Sequence, residues 1–163
     1  MTDKSASTRI ISVDHVTIGS SKSFEDVQAK LETLLPRMDD RIFILLQYGE
    51  SERARRELEA GPPLSIFLQR DHGGLLSIAG LKRRALQYDI GNPLTASKMT
   101  RHQLSAGLYA PIRVLLREDG DGVVAFEYDR PASVFGQFRD EKVDAVAQQL
   151  DRDLQAVLEA AAN

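Results

Sequence analysis

Side chains able to do chemistry are sparse in this chain, and their spacing excludes more than it supports. The three histidines, His15, His72 and His102, stand far apart. None has a second nitrogen ligand at helical or hairpin spacing, so no zinc signature follows and no metal is expected. There is no cysteine, which removes thiolate metal sites, disulfides and cysteine nucleophiles together. Asp14-His15 and Asp71-His72 are adjacent acid–imidazole pairs, and a carboxylate can orient an imidazole for general acid or base work. Neighbours on a strand point to opposite faces, so Asp14 is badly placed to hold His15. Asp71 to Gly74 reads as a turn whose two glycines permit positive φ, and ligand-binding side chains collect in such loops. His72, with Asp71 beside it, is therefore the candidate for acid–base catalysis on a small carbonyl or anionic substrate.

A second candidate needs no catalytic side chain. Asn92 is placed to cap a helix and Pro93 to open it, and a helix start presents free N–H groups and a positive dipole end to an anion or a carbonyl oxygen. Arg113 and Arg130 lie on or beside later strands and would complete such a site if the sheet order brings them near. No Walker loop, Rossmann glycine fingerprint or G-x-S-x-G elbow occurs, so phosphoryl, hydride and serine-hydrolase chemistry have no support and no cofactor is expected. The carboxylate pairs Asp119/Asp121 and Asp151/Asp153 read as solvated, as do the basic clusters Arg53, Arg55, Arg56 and Lys82, Arg83, Arg84.

Local patterns place these residues on elements. Met1 to Ser7 reads as a frayed tail and 8–163 as one domain. A β-branched run from Arg9 to Ile18 predicts a strand; Ser23 caps a helix whose apolar face is Phe24, Val27, Leu31, Leu34 and Leu35, closed by Pro36. The continuous apolar run Ile42 to Leu46 predicts a covered strand, and Ser51 to Ala60 a surface helix stopped by Gly61-Pro62-Pro63. Leu64 to Gln69 and Arg84 to Ile90 predict strands, the latter with Leu86, Tyr88 and Ile90 facing one way. The helix opened by Pro93 should run to about His102. Ile112 to Glu118 and Val123 to Asp129, joined by Asp119-Gly-Asp-Gly122, carry the strongest hairpin signal. A long helix from about Asp140 aligns Val143, Val146, Leu150, Leu154, Val157 and Leu158. These elements add up to an α+β domain with a mainly antiparallel sheet covered by helices on one face; a mainly parallel α/β sheet is the alternative that the hairpin disfavours.

With 163 residues, 42% of them hydrophobic, the chain can bury roughly 70% of its unfolded surface without a metal or disulfide. A net charge of −3 and a pI near 5.6 argue against nucleic acid and anionic membrane as partners. No segment approaches about 18 uninterrupted apolar residues and no signal peptide is evident, so a soluble cytoplasmic protein is expected.

Several runs in order carry a family resemblance: IFLQRDHG from Ile66, QYDIGNPLTASKM from Gln87, GLYAPIRVLL from Gly107, the DGDG hairpin, and EYDRPASVFGQF from Glu127. Together, over roughly 66–138, they resemble the domain-of-unknown-function family 302, with Ser51 to Pro63 as an insertion relative to its shorter members. The resemblance implies a curved antiparallel sheet with helices on one side, similar to the TATA-binding-protein-like class, and brings no assigned reaction, cofactor or catalytic residue. It marks Asp71, His72, Gly91, Asn92, Pro93, Met99, Pro111, Arg113, Tyr128 and Pro131 as positions matching the family motif. Backbone geometry accounts for the glycine and prolines; the polar positions, with Arg130, form the candidate ligand set Asn92, Arg113, Tyr128 and Arg130. The favoured expectation is a non-enzymatic small-ligand-binding or interaction module, homodimeric as many soluble proteins are, with a small anionic molecule as the candidate ligand. An enzyme built on His72 is the alternative, and a metal site of His72 with carboxylates a third.

Overall fold

The computed structural model describes residues 5–163. Of the expected tail, residues 1–4 lie outside the described residues, and residues 5–7 are exposed and irregular. Alternating apolar residues build five strands, β1 (His15–Ser20), β2 (Ser65–Asp71), β3 (Arg84–Gly91), β4 (Ile112–Glu118) and β5 (Val124–Asp129). They form one sheet in the order β1-β5-β4-β3-β2, every neighbouring pair antiparallel. Val114 at its centre is paired with Tyr88 on β3 and Tyr128 on β5, so Leu86, Tyr88 and Ile90 share one face with Val114, Leu116 and Phe126.

Helices α1 (Phe24–Leu34), α5 (Pro93–Thr100) and α7 (Glu141–Ala162) cover that face. Val27 and Leu31 of α1, Met99 of α5 and Leu154 and Leu158 of α7 are buried with the strand residues in one hydrophobic cluster. Their starts are fixed by side-chain caps: Ser23 accepts from the Asp26 N–H at 3.1 Å, and Asp140 from the N–H groups of Lys142 and Val143. Each cap satisfies donors that the first helical turn leaves free. Tyr88, fully buried, donates its hydroxyl to Glu32 Oε1 at 3.0 Å; burial, and then the nearby Glu32 carboxylate, push its phenol well above the usual value.

The other face of the sheet carries no helix among the described residues and is polar. Arg117 pairs with Glu127 at 2.6 Å, Arg70 with Asp89 at 3.0 Å, and His15 lies between Asp129 at 3.2 Å and Glu127 at 3.5 Å. Asp14 indeed does not hold His15; carboxylates across the strand pair do.

Three sequence expectations need correction. Residues Ile42 to Leu46 are not a strand but the body of a helix, α2 (Arg41–Gln47), which packs with α3 (Ser51–Ala60) in a small separate cluster of Ile42, Leu45 and Ala54. Asp71 to Gly74 is not an open turn: Asp71 caps a short helix, α4 (His72–Leu75), accepting from the Gly74 N–H at 2.7 Å. Gly73 is needed there for space rather than for positive φ, because a Cβ would stand 2.4 Å from the Arg83 carbonyl oxygen. Finally, β1 begins at His15 rather than Arg9. The short helix α6 (Pro131–Phe135) and three short 3-10 segments were not expected.

Candidate functional site

Where β3 ends, the chain turns through Gly91 and Asn92 into α5, and β4 begins alongside at Pro111 and Ile112. These segments enclose a cavity of about 320 Å³. Its floor is Ile90, Met99 and Ile112, and Leu150 of α7 reaches it from the side. Its rim is aromatic. The β2–β3 register shifts between Ile66 and Leu68, and this irregularity re-aims Phe67 toward the cavity, as bulges commonly do. Phe67 meets Phe43 of α2 with ring centroids 6.4 Å apart. At Gly91 a Cβ would stand 3.4 Å from the Pro111 Cβ and 3.8 Å from the Phe67 ring, so glycine keeps this wall open.

The start of α5 is largely committed to itself. Pro93 has no N–H, Asn92 Oδ1 accepts from the Leu94 N–H at 2.8 Å, and the Ala96 N–H donates to the Asn92 carbonyl at 3.0 Å. That leaves the Thr95 N–H as the donor of the first turn without such a partner among the described residues. Asn92 Nδ2 donates to the Pro62 carbonyl at 3.2 Å, so this side chain ties the loop after α3 to the start of α5. The hydroxyls are also engaged: Ser97 donates to the Leu94 carbonyl and Thr100 to that of Ala96. No charged side chain lines the cavity among the described residues.

The residues singled out in the sequence divide between this cavity and three other places. Gly91, Asn92, Pro93, Met99 and Pro111 line it. Arg113 does not: its neighbour Ile112 points into the cavity, so Arg113 points to the polar face of the sheet, exposed and without an ion pair among the described residues. His72 is exposed at the first position of α4. Asp71 is paired with Leu86, and at about 3.3 Å per residue the strand from Leu86 to Ile90, the first residue on it that lines the cavity, separates His72 from the cavity by roughly 13 Å. Tyr128 and Arg130 sit beneath and beside α7. Arg130 donates to both Asp151 oxygens and to Gln155 Oε1, each at 3.3 Å, clamping the turn after β5 to that helix. Tyr128 is 2% exposed with no partner for its hydroxyl among the described residues; burial raises its phenol, a push that Arg130 opposes.

Phe43 and Phe67 are the site residues that sequence reasoning missed, since one lay in the misassigned strand and the other becomes inward only through a register shift. Among the described residues there is no cluster of three or more His, Asp or Glu able to hold a metal ion. No described helix is long and apolar enough to cross a membrane.

No curated protein matches the chain. A solved structure, an uncharacterized conserved DUF302 protein from Bacillus stearothermophilus, is similar with a TM-score of 0.66 at 17% identity, over 90% of this chain and 97% of that one. At that identity the likeness establishes the fold: an α+β arrangement with an open antiparallel sheet. The family model described as domain of unknown function DUF302 matches residues 46–161. Since that match spans well over half of the sequence, the chain belongs to the DUF302 family.

Proposed function

We propose that this protein is a non-enzymatic module that binds a small, compact and largely apolar molecule in the cavity at the start of α5, and that it works as a homodimer. The observation that carries the reading is the cavity itself: about 320 Å³, at the lower end of the range of small-molecule sites, apolar at its floor and aromatic at its rim. The anionic ligand expected from the sequence fits this wall poorly. Arg113 is on the other face of the sheet, Arg130 is held by Asp151, and the helix start has little hydrogen-bonding capacity left, so a buried anion would lack the pairing it needs. A neutral, largely apolar molecule fits better. An enzyme built on His72 would need its ring within hydrogen-bond reach of bound substrate, and roughly 13 Å of strand lies between His72 and the nearest wall of the cavity.

The test is titration of the protein with indole, naphthalene and benzoate, followed by amide NMR. Indole and naphthalene should move the signals of Gly91, Met99 and Ile112, and benzoate should move them far less. Ala96→Phe, which fills the cavity from its wall, should abolish the indole response. Stronger binding by benzoate, or no response to any probe at millimolar concentration, would overturn the proposal.

A further inference from the structure

We infer that α2 is the interface through which two copies of this chain pair. A helix that is apolar on all sides is ordinarily covered on all sides, and α2, with the sequence RIFILLQ, is apolar all round. Only Ile42 and Leu45 are buried; Phe43 is 43% exposed, Ile44 51%, Leu46 47%, and Tyr48, just past the helix, 79%. Together these four expose on the order of 500 Å² of one short segment, near the upper end for the largest apolar patch on a monomer.

Area and charge both indicate a second copy as the occupant. In a twofold contact the same patch is buried on both partners, so two such patches remove on the order of 1,000 Å² from water before any polar rim is counted, about what a specific interface requires. The rim is electrically self-contained. Asp39 holds Arg41 at 2.6 Å, Arg53 lies between Glu50 and Glu57, and Arg55 between Glu52 and Glu59, all within 3.3 Å. Asp40 and Arg56, without ion pairs among the described residues, have opposite signs. A surface of this kind has no single-sign field to recruit an anionic membrane, a nucleic acid or a strongly charged peptide, and it meets its own twofold copy without net repulsion. Phe43 belongs both to this face and to the cavity rim, so the partner covers the cavity beside it. This last consequence rests on the ligand-binding reading, the interface itself does not.

Sedimentation velocity at protein concentrations from about 1 to about 200 µM tests the inference, on the wild type and on Ile44→Glu and Tyr48→Glu. Both substitutions lie on exposed positions, and far-UV circular dichroism checks that the fold is kept; should Ile44→Glu unfold, Tyr48→Glu and Tyr48→Ala carry the test. The wild type should sediment as a dimer at tens of micromolar, and each Glu variant should raise the dimer dissociation constant at least tenfold. Ile78→Glu, 87% exposed on a distant 3-10 segment, should leave the dimer unchanged. A wild type that stays monomeric throughout, a dimer that survives both Glu variants, or a monomer that co-sediments with phosphatidylcholine vesicles would overturn it. Indole binding by a strictly monomeric wild type would do so while leaving the ligand-binding reading intact.

Discussion

The sheet with its three covering helices and the α2–α3 pair are two hydrophobic clusters built on opposite terms. In the first, strands and helices each contribute one apolar stripe, and Tyr88, Phe126, Leu154 and Leu158 are excluded from water. In the second, three residues are buried, Met38 and Leu58 pack against them, and the helix that supplies two of them leaves comparable apolar bulk outside. The large cluster is finished by its own chain. The small one leaves Phe43, Ile44, Leu46 and Tyr48 exposed to solvent, and it supplies one wall of the cavity rim through Phe43. A domain of this kind can keep its core rigid while its site-forming edge stays cheap to open.

The largest expected effect concerns that difference directly. Phe126→Ala, in the middle of the covered face, should cost about 3–5 kcal/mol, whereas Leu45→Ala in the small cluster should cost about 2 kcal/mol, both read as shifts of the urea midpoint. Hydrogen exchange sharpens the contrast: amides of α2 and α3 should exchange through local opening, and those of β4 and α7 only on global unfolding. Equal losses, or protection of α2 equal to that of β4, would break the comparison.

A smaller effect is expected at the seam between the two regions. Asn92→Ala removes the α5 cap together with the tie to Pro62 and should cost about 1 kcal/mol, with greater mobility in the loop from Gly61 to Leu64. Asn92→Asp keeps the acceptor and should recover most of the cap but not the tie, which a urea midpoint combined with loop exchange rates separates.

Much of the large cluster is legible in the sequence because its signals are local. Ser23, Asn92 and Asp140 each cap the helix that follows, the stripe from Val143 to Leu158 repeats at helical spacing, and the hairpin announces itself through Asp119 to Gly122. The α2 segment has no such period. Five consecutive apolar residues describe a covered strand and a short all-apolar helix equally well, and only the structure shows that Asp39 and Asp40 precede a helix. The site was half legible for a related reason. Gly91, Asn92, Pro93, Met99 and Pro111 stand out as chain-reversing or motif positions, but Phe67 reaches the cavity through a register shift with no mark in its own residue type. Arg113 joins the candidate set only if the sheet brings it near the start of α5, and strand alternation places it opposite the inward Ile112, on the polar face. His72 and Asn92 could be separated only by knowing that β2 and β3 are antiparallel, with one residue at each end.

The smallest effects distinguish two buried phenols within the large cluster. Tyr88 has a partner in Glu32, and Tyr128 has none among the described residues. Tyr88→Phe should cost about 1 kcal/mol, and Tyr128→Phe should be neutral or slightly stabilising, since it removes a buried hydroxyl that makes no bond. Both phenols lie above their ordinary value of 10.0, by burial first. Above about pH 10 the unfolded chain therefore releases protons that the folded chain keeps, and stability falls as pH rises. The drop in urea midpoint between about pH 9 and about pH 11 should be shallower in Tyr88→Phe; an unchanged slope would mean that the phenol ionises freely in the folded state.

The placement of β1 beside β5 sets a timetable for the chain's manufacture. His15 and Asp129, partners across those strands, are 114 residues apart. At synthesis rates of about 5–20 residues per second, the first strand emerges on the order of ten seconds before the strand that receives it exists. During that interval β2, β3 and β4 can pair among themselves while β1 waits with its backbone unpaired. The first-made strand of this sheet thus has no partner until the last-made one has emerged.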